Sequence, residues 1–137
     1  MWGPLMDFAL LQRINAEVNI LPYKADPADF DDWSPIDEKG GDCDSYAVAK
    51  LRRLVAAGVP VESLRLATCY VEPSVGTTKD ERYHAVLIVS TQAGDFMLDN
   101  RQHFPIPVLE LAMLGYEPAL IQKIGGEQGW AEWKGAA

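Results

Sequence analysis

The chain reads as an α+β domain, a central helix packed on an antiparallel sheet, and three observations predict it. A helical pattern with a start and a stop signal precedes three short extended runs. Those runs are separated by stretches rich in Gly, Pro, Ser, Thr and charge, as in an antiparallel sheet. The 137 residues are 48% hydrophobic and 23% charged, the composition of one globular domain. A chain of this size buries roughly two-thirds of the surface its unfolded form exposes, so a core forms without metal or disulfide staples.

The elements follow in order. From about Pro4 to Val18, apolar residues at Leu5, Phe8, Leu11, Ile14 and Val18 predict an amphipathic helix with Pro in its first turn. Leu21 to Gly41 changes character: Pro22, Pro27 and Pro35 stand among Asp26, Asp29, Asp31, Asp32 and Asp37, with single aromatics at Tyr23, Phe30 and Trp33. Linkers seldom hold a Tyr, a Phe and a Trp, so this is expected to be a long loop packed on the domain. Asp42 is placed to cap a helix running to about Ala57, with Cys43, Tyr46, Ala47, Leu51, Leu54 and Val55 on one stripe. Gly58 suits the left-handed position after it and Pro60 cannot continue it. Strands are expected at about Leu64–Val71, Tyr83–Ser90 and Asp95–Leu98, with a hairpin turn at Gln92–Asp95. Tyr83–Val89 is apolar on both faces except at His84, the pattern of a central strand covered on both sides. Val108–Leu114 reads as a short helix, and Tyr116–Ala137, with Trp130 and Trp133, has no readable period.

Charge and cysteine count exclude several classes. Twelve Lys+Arg against 20 Asp+Glu leave a net charge of −8, which repels nucleic-acid phosphates and anionic lipid headgroups. No apolar run is long enough to span a bilayer. Two cysteines, Cys43 and Cys69, are too few for a disulfide scaffold, and with His84 and His103 they lack structural-zinc spacing. The N-terminus has no basic region followed by a long apolar stretch, so no export signal is read there. The expected setting is the cytoplasm, and the periplasm only if a leader is missing from this chain.

Chemistry concentrates at Gly40-Gly41-Asp42-Cys43-Asp44-Ser45-Tyr46, a cysteine in the first turn of a helix behind a diglycine. Unpaired N–H groups and the helix dipole stabilise negative charge there, as a thiol nucleophile requires. The flanking carboxylates oppose this unless a metal, a base or a cation engages them. His84 is a lone polar residue in an apolar strand and needs a partner. Asp99, 15 residues later at the end of the next strand, is within reach across an antiparallel hairpin. Cys43, His84 and Asp99 then supply nucleophile, base and orienting carboxylate from three different elements. Each also has a plainer reading, as buried thiol, core histidine and turn residue; their agreement on one geometry favours the catalytic one. Cys69 reads as packing and His103 as a surface residue.

Several motifs together resemble the bacterial transglutaminase-like cysteine proteinases, the family with the LapG-like branch. They are Asn19-Ile20-Leu21-Pro22-Tyr23, Asp32-Trp33-Ser34-Pro35, Gly41-Asp42-Cys43-Asp44-Ser45-Tyr46-Ala47, Tyr83-His84-Ala85-Val86-Leu87 and Leu98-Asp99-Asn100. The resemblance implies a papain-like or transglutaminase-like fold with the nucleophile Cys43 at the N-terminus of the central helix, His84 as base and Asp99 as orienter. It further implies a calcium site at Asp42 and Asp44, completed by carbonyls or by carboxylates such as Asp29, Asp31 or Asp32. The sequence departs from the family pattern after the cysteine, where Asp44 and Ser45 replace the usual Glu and Asp. No cofactor is required by the chemistry.

The expected function is a cysteine peptidase or amidase that cleaves an amide bond of a protein or peptide through an acyl-thioester. The first N–H groups of the central helix would form part of the oxyanion hole, with Asn19 or Trp33 as side-chain donor. Acyl transfer to an amine, a catalytically weak binding or virion module, and a cell-wall peptide endopeptidase are the alternatives. Oligomeric state is not legible.

Overall fold

The computed structural model describes residues 4–23 (side chains from residue 8), 41–72, 78, 82–124 and 129–135. Helix α1 spans Pro4–Asn19 and α2 spans Cys43–Ala56. Six strands follow among the described residues: β1 Leu64–Tyr70, β2 Tyr83–Thr91, β3 Gly94–Leu98, β4 Ile106–Pro107, β5 Glu117–Gln122 and β6 Trp130–Glu132. They form one antiparallel sheet in the order β4-β3-β2-β1-β5-β6. The three expected strands are thus its centre, β3-β2-β1.

The sheet separates two apolar cores. On the helix side, Leu11, Ile14 and Val18 of α1 and Tyr46, Ala47 and Leu54 of α2 pack with Leu64, Leu66, Leu87 and Val89. On the other, Ala67, Cys69, Val86, Ile88 and Met97 pack with Leu111, Tyr116, Ile121 and Trp133. Alternation along β2 sends Leu87 and Val89 to one core and Val86 and Ile88 to the other, which is why that strand is apolar on both faces. The β1–β2 register runs from Leu64 opposite Val89 to Tyr70 opposite Tyr83 and sets Cys69 opposite His84.

α2 starts and stops where its residues dictate. Asp42 is the N-cap, its Oδ1 accepting from the Ser45 backbone N–H at 3.4 Å. At the other end Gly58 takes φ +99°, its N–H reaching Val55 O and that of Val59 reaching Leu54 O, each at 3.0 Å, a Schellman closure. The expected stripe is only partly realised. Asp44 through Lys50 are buried without a break, whereas Leu51 is partly buried and Val55 is exposed. The first two turns of α2 are sheathed on all sides, so periodicity alone does not describe them.

Three further differences have physical causes. Val108–Leu114 is two 3₁₀ turns, Val108–Glu110 and Ala112–Leu114, rather than one short helix. They end at Gly115, φ +83°, where an added Cβ would lie 2.6 Å from Glu72 Cβ. β5 was unreadable because Pro118 breaks the strand signal; it sits opposite Cys69 at a register shift in β1. β6 is three residues long, too short to carry a period. Most of the aromatic, acidic loop lies outside the described residues, but its ends meet: Tyr23 and Gly41 bridge in parallel, and the Gly41 N–H donates to Pro22 O at 3.2 Å. The Tyr46 hydroxyl donates to Leu21 O and ties this crossing to α2. No described helix is long and apolar enough to cross a membrane.

Candidate active site

Three elements converge at one end of the sheet. α2 presents Cys43 in its first turn, β2 presents His84 as its second residue, and Asp99 follows β3 directly. His84 is buried, and its Nε2 lies 2.5 Å from Asp99 Oδ1. With Nε2 engaged, Nδ1 is the ring nitrogen left to serve Cys43, which lines the same cleft. The Ala85 backbone N–H donates to Cys43 Sγ at 3.4 Å, so strand β2 reaches the sulfur. Burial pulls the His84 pKa down, but the hydrogen bonds to Asp99 and Cys43, with their charges, outweigh it and raise the value to about 9. Burial likewise pushes Asp99 up, yet its bond to His84 and the His84 charge, with further donors, leave it below the usual carboxylate range.

Asp99 is heavily anchored. The Tyr116 hydroxyl donates to its Oδ2, and Gln102 Nε2 donates to that hydroxyl at 3.1 Å. The Arg101 backbone N–H reaches Asp99 Oδ1 at 3.3 Å, and the Gln102 N–H reaches Asp99 O at 3.1 Å. Asp99 is therefore both a turn residue and the imidazole's partner, two readings that looked like rivals in the sequence. Tyr116 was missed there: it stood at the start of an unreadable tail, and its role depends on the Gly115 turn that aims it.

Asn19 was expected to offer an oxyanion donor, and the hydrogen bonds correct this. Its Nδ2 donates to Asp99 O and to Gln102 O, each at 3.0 Å, which uses both amide hydrogens. Asn15 adds a donor to Gln102 O at 2.9 Å. α1 thus holds the Asp99–Gln102 turn, and Asn19 lines a separate hollow shared with Arg101 and exposed His103. Trp33, the other expected donor, lies outside the described residues, as do Asp29, Asp31 and Asp32. Cys69 is a free, buried thiol whose pKa is pushed up by burial and then by the charges of Asp99 and Cys43.

Cys43 and His84 open on a cleft of about 360 Å³ walled by Tyr23, Arg82, Tyr83 and Arg101. Tyr23 stacks on Tyr46 at 6.2 Å, and burial, then the Cys43, Asp42 and Asp44 charges, raise its pKa. Arg82 Nη1 donates to Val71 O at 3.1 Å. Asp42 and Asp44 carry the oxygen donors calcium takes, but two carboxylates fall short of the roughly six to eight oxygens it needs. Asp42 Oδ1 also accepts from Ser45 Oγ at 3.2 Å, and no group of three or more His, Cys, Asp or Glu among the described residues is disposed to hold a metal. The described residues do not make a calcium site by themselves.

A cysteine at a helix start beside a His–Asp pair at the end of an antiparallel sheet fits the class of transglutaminase-like cysteine proteases. Within it, the model of the bacterial transglutaminase-like cysteine proteinases (BTLCP) matches residues 6–134, and the chain belongs to that family. It is similar in fold to Legionella pneumophila LapG in calcium-bound form, with a TM-score of 0.69 at 23% identity, covering 93% of this chain and 72% of that one. The EGTA-treated form of that protein gives 0.69 at 24% identity, covering 96% and 69%. No curated protein sequence matches the chain.

Proposed function

We propose that Cys43, His84 and Asp99 are the catalytic triad of a peptidase that hydrolyses amide bonds through an acyl-thioester. The observation that supports it best is the Asp99–His84 hydrogen bond behind a cysteine that lines the same cleft as that imidazole. In this reading Cys43 Sγ attacks the scissile carbonyl carbon and its proton passes to His84 Nδ1. The raised His84 pKa favours the imidazolium, so the proton leaves sulfur before the attack, and Asp99 holds that imidazolium in place. The developing oxyanion faces the first N–H groups of α2, where the helix dipole favours negative charge. His84 then protonates the leaving amine as the C–N bond breaks, leaving the acyl group on sulfur. Water attacks the thioester, His84 takes its proton, and collapse releases the carboxylic acid and restores the thiol.

An amine in place of water would give acyl transfer from the same residues. The test is intact-mass analysis with a peptidyl haloacetamide and with cleavable peptides in the presence and absence of added amine. A single adduct on Cys43, none on Cys69, and hydrolysed peptide as product are expected. Adduct on Cys69 alone would refute the assignment, and amine-ligated product would select the transferase reading.

Calcium binding is proposed on narrower grounds: LapG is known in a calcium-bound form, and Asp42 and Asp44 flank the nucleophile. Millimolar calcium is expected to raise the thermal midpoint and EGTA to reverse it. An unchanged midpoint would remove calcium from the account.

A further inference from the structure

Two arginines line the cleft that holds Cys43 and His84. Arg82 stands directly before β2, and Arg101 lies in the turn that Asp99 opens after β3, so both come from the sheet side of the cleft. Neither is consumed by the fold. Among the described residues the Arg82 guanidinium makes one hydrogen bond, from Nη1 to Val71 O at 3.1 Å, and its Nε is buried without a partner. The Arg101 side chain is exposed and its guanidinium lies 6.0 Å from the centroid of the Tyr116 ring, with no described hydrogen-bond acceptor. The ion pairs among the described residues are Arg53–Glu17 and His84–Asp99, so neither cleft arginine has a carboxylate partner there.

Acids are not scarce, since 20 Asp+Glu stand against 12 Lys+Arg. A guanidinium presents five donors in a planar fork that matches a carboxylate, and tethering one carbonyl or lying over one ring leaves most of that fork unused. The acids that flank the sulfur in sequence, Asp42 and Asp44, belong to the α2 side of the cleft, where their charges act on Tyr23. Asp42 is engaged as the N-cap and Asp44 is buried. The α2 side therefore repels an incoming carboxylate and the sheet side attracts it.

We propose that Arg82 and Arg101 are specificity-determining residues that bind a carboxylate of the substrate, so that the cleft selects acidic peptides with a Glu or Asp beside the reacting amide. At about 360 Å³ the cleft admits a few residues only, which keeps the bound carboxylate close to Cys43. For its effect on turnover the proposal rests on the triad reading; for its effect on binding it does not. A chain-terminal carboxylate offers the same chemistry, and the test separates the two sources.

The test is the rate at which matched peptidyl chloroacetamides label Cys43, with Glu or Gln next to the reactive group and an amidated C-terminus, each rate divided by that with glutathione. The Glu reagent is expected to lead by about tenfold to a hundredfold, the range of charge-assisted hydrogen bonds. Arg82→Gln and the exposed-site variant Arg101→Gln are each expected to lower that preference by about threefold or more. Equal wild-type rates for these two and for a third reagent, with Gln and a free terminal carboxylate, overturn the proposal without any variant. A gain confined to the third reagent moves the bound carboxylate to a chain end and overturns the acidic side chain. A Glu preference that survives in Arg82→Gln/Arg101→Gln overturns the assignment to these arginines, and so does failure of every reagent to label Cys43, since the cleft then admits no peptide. With cleavable peptides, kcat/KM is expected to favour Glu over Gln by a similar factor. If the wild type cleaves neither, the peptidase reading fails while the labelling still decides the role of the arginines.

Discussion

At the residue scale, the site depends on how Asp99 is held. One carboxylate oxygen faces His84 and the other accepts from Tyr116, so neither is left bare in a buried setting. Tyr116→Phe keeps the ring in the second core but removes the hydroxyl from both Asp99 and Gln102. A loss of about 1–3 kcal/mol in urea denaturation is expected, with a lower kcat in peptide cleavage. Equal stability and turnover would mean that the hydroxyl contributes nothing. Cys43, His84 and Asp99 were legible because each breaks its local pattern: a thiol behind a diglycine, a polar residue in an apolar strand, and an acid before a turn. Lys50 and Tyr116 break none. A lysine in a helix reads as solvent-facing, and only the burial of the first two turns of α2 on all sides makes it exceptional.

At the scale of elements, α2 has boundaries that follow from single residues. Asp42→Ala removes the N-cap and is expected to cost about 1 kcal/mol, whereas Asp42→Asn retains an acceptor and should cost far less. Comparing urea midpoints of the two separates the capping role of Asp42 from any role of its charge. Gly115 fixes the approach of Tyr116 by both a left-handed φ and contact with Glu72, so Gly115→Ala should destabilise by more than about 1 kcal/mol. The central strands were readable because turn residues bound them and their faces are continuously apolar. β4, β5 and β6 were not: two or three residues carry no period, and Pro118 argues against the strand it occupies. Their pairing is decided by the neighbours that need covering, which is information from distant parts of the chain.

At the scale of the whole molecule, two buried bases impose opposite pH dependence on stability. His84 is raised from 6.5 to about 9, so its contribution is complete below pH 6.5 and is lost as pH rises through 9. Lys50 is lowered from 10.5 to about 7, so the unfolded chain binds more protons between those values and stability rises with pH across that window. Between about pH 7 and 9 the two oppose each other, and a nearly level urea midpoint is expected. Lys50→Met should unmask the His84 slope, with a midpoint that falls from pH 6.5 to 9; a midpoint that stays level in that variant would contradict the assignment. Asp99, held below the usual carboxylate range, adds a loss of stability as the pH falls under 3.8. Fold class and the meeting of Cys43, His84 and Asp99 could both be read from the sequence because they share a cause: the helix start that supports the cysteine is also the element that the central strands cover.

The central claim is that Cys43 performs amide hydrolysis. Its most direct test is digestion of a diverse peptide library by the wild type and by Cys43→Ala, read by mass spectrometry, with thermal midpoints confirming that both are folded. Discrete cleavages by the wild type and none by Cys43→Ala at an unchanged midpoint are expected. Cleavage by Cys43→Ala at the wild-type rate would contradict it.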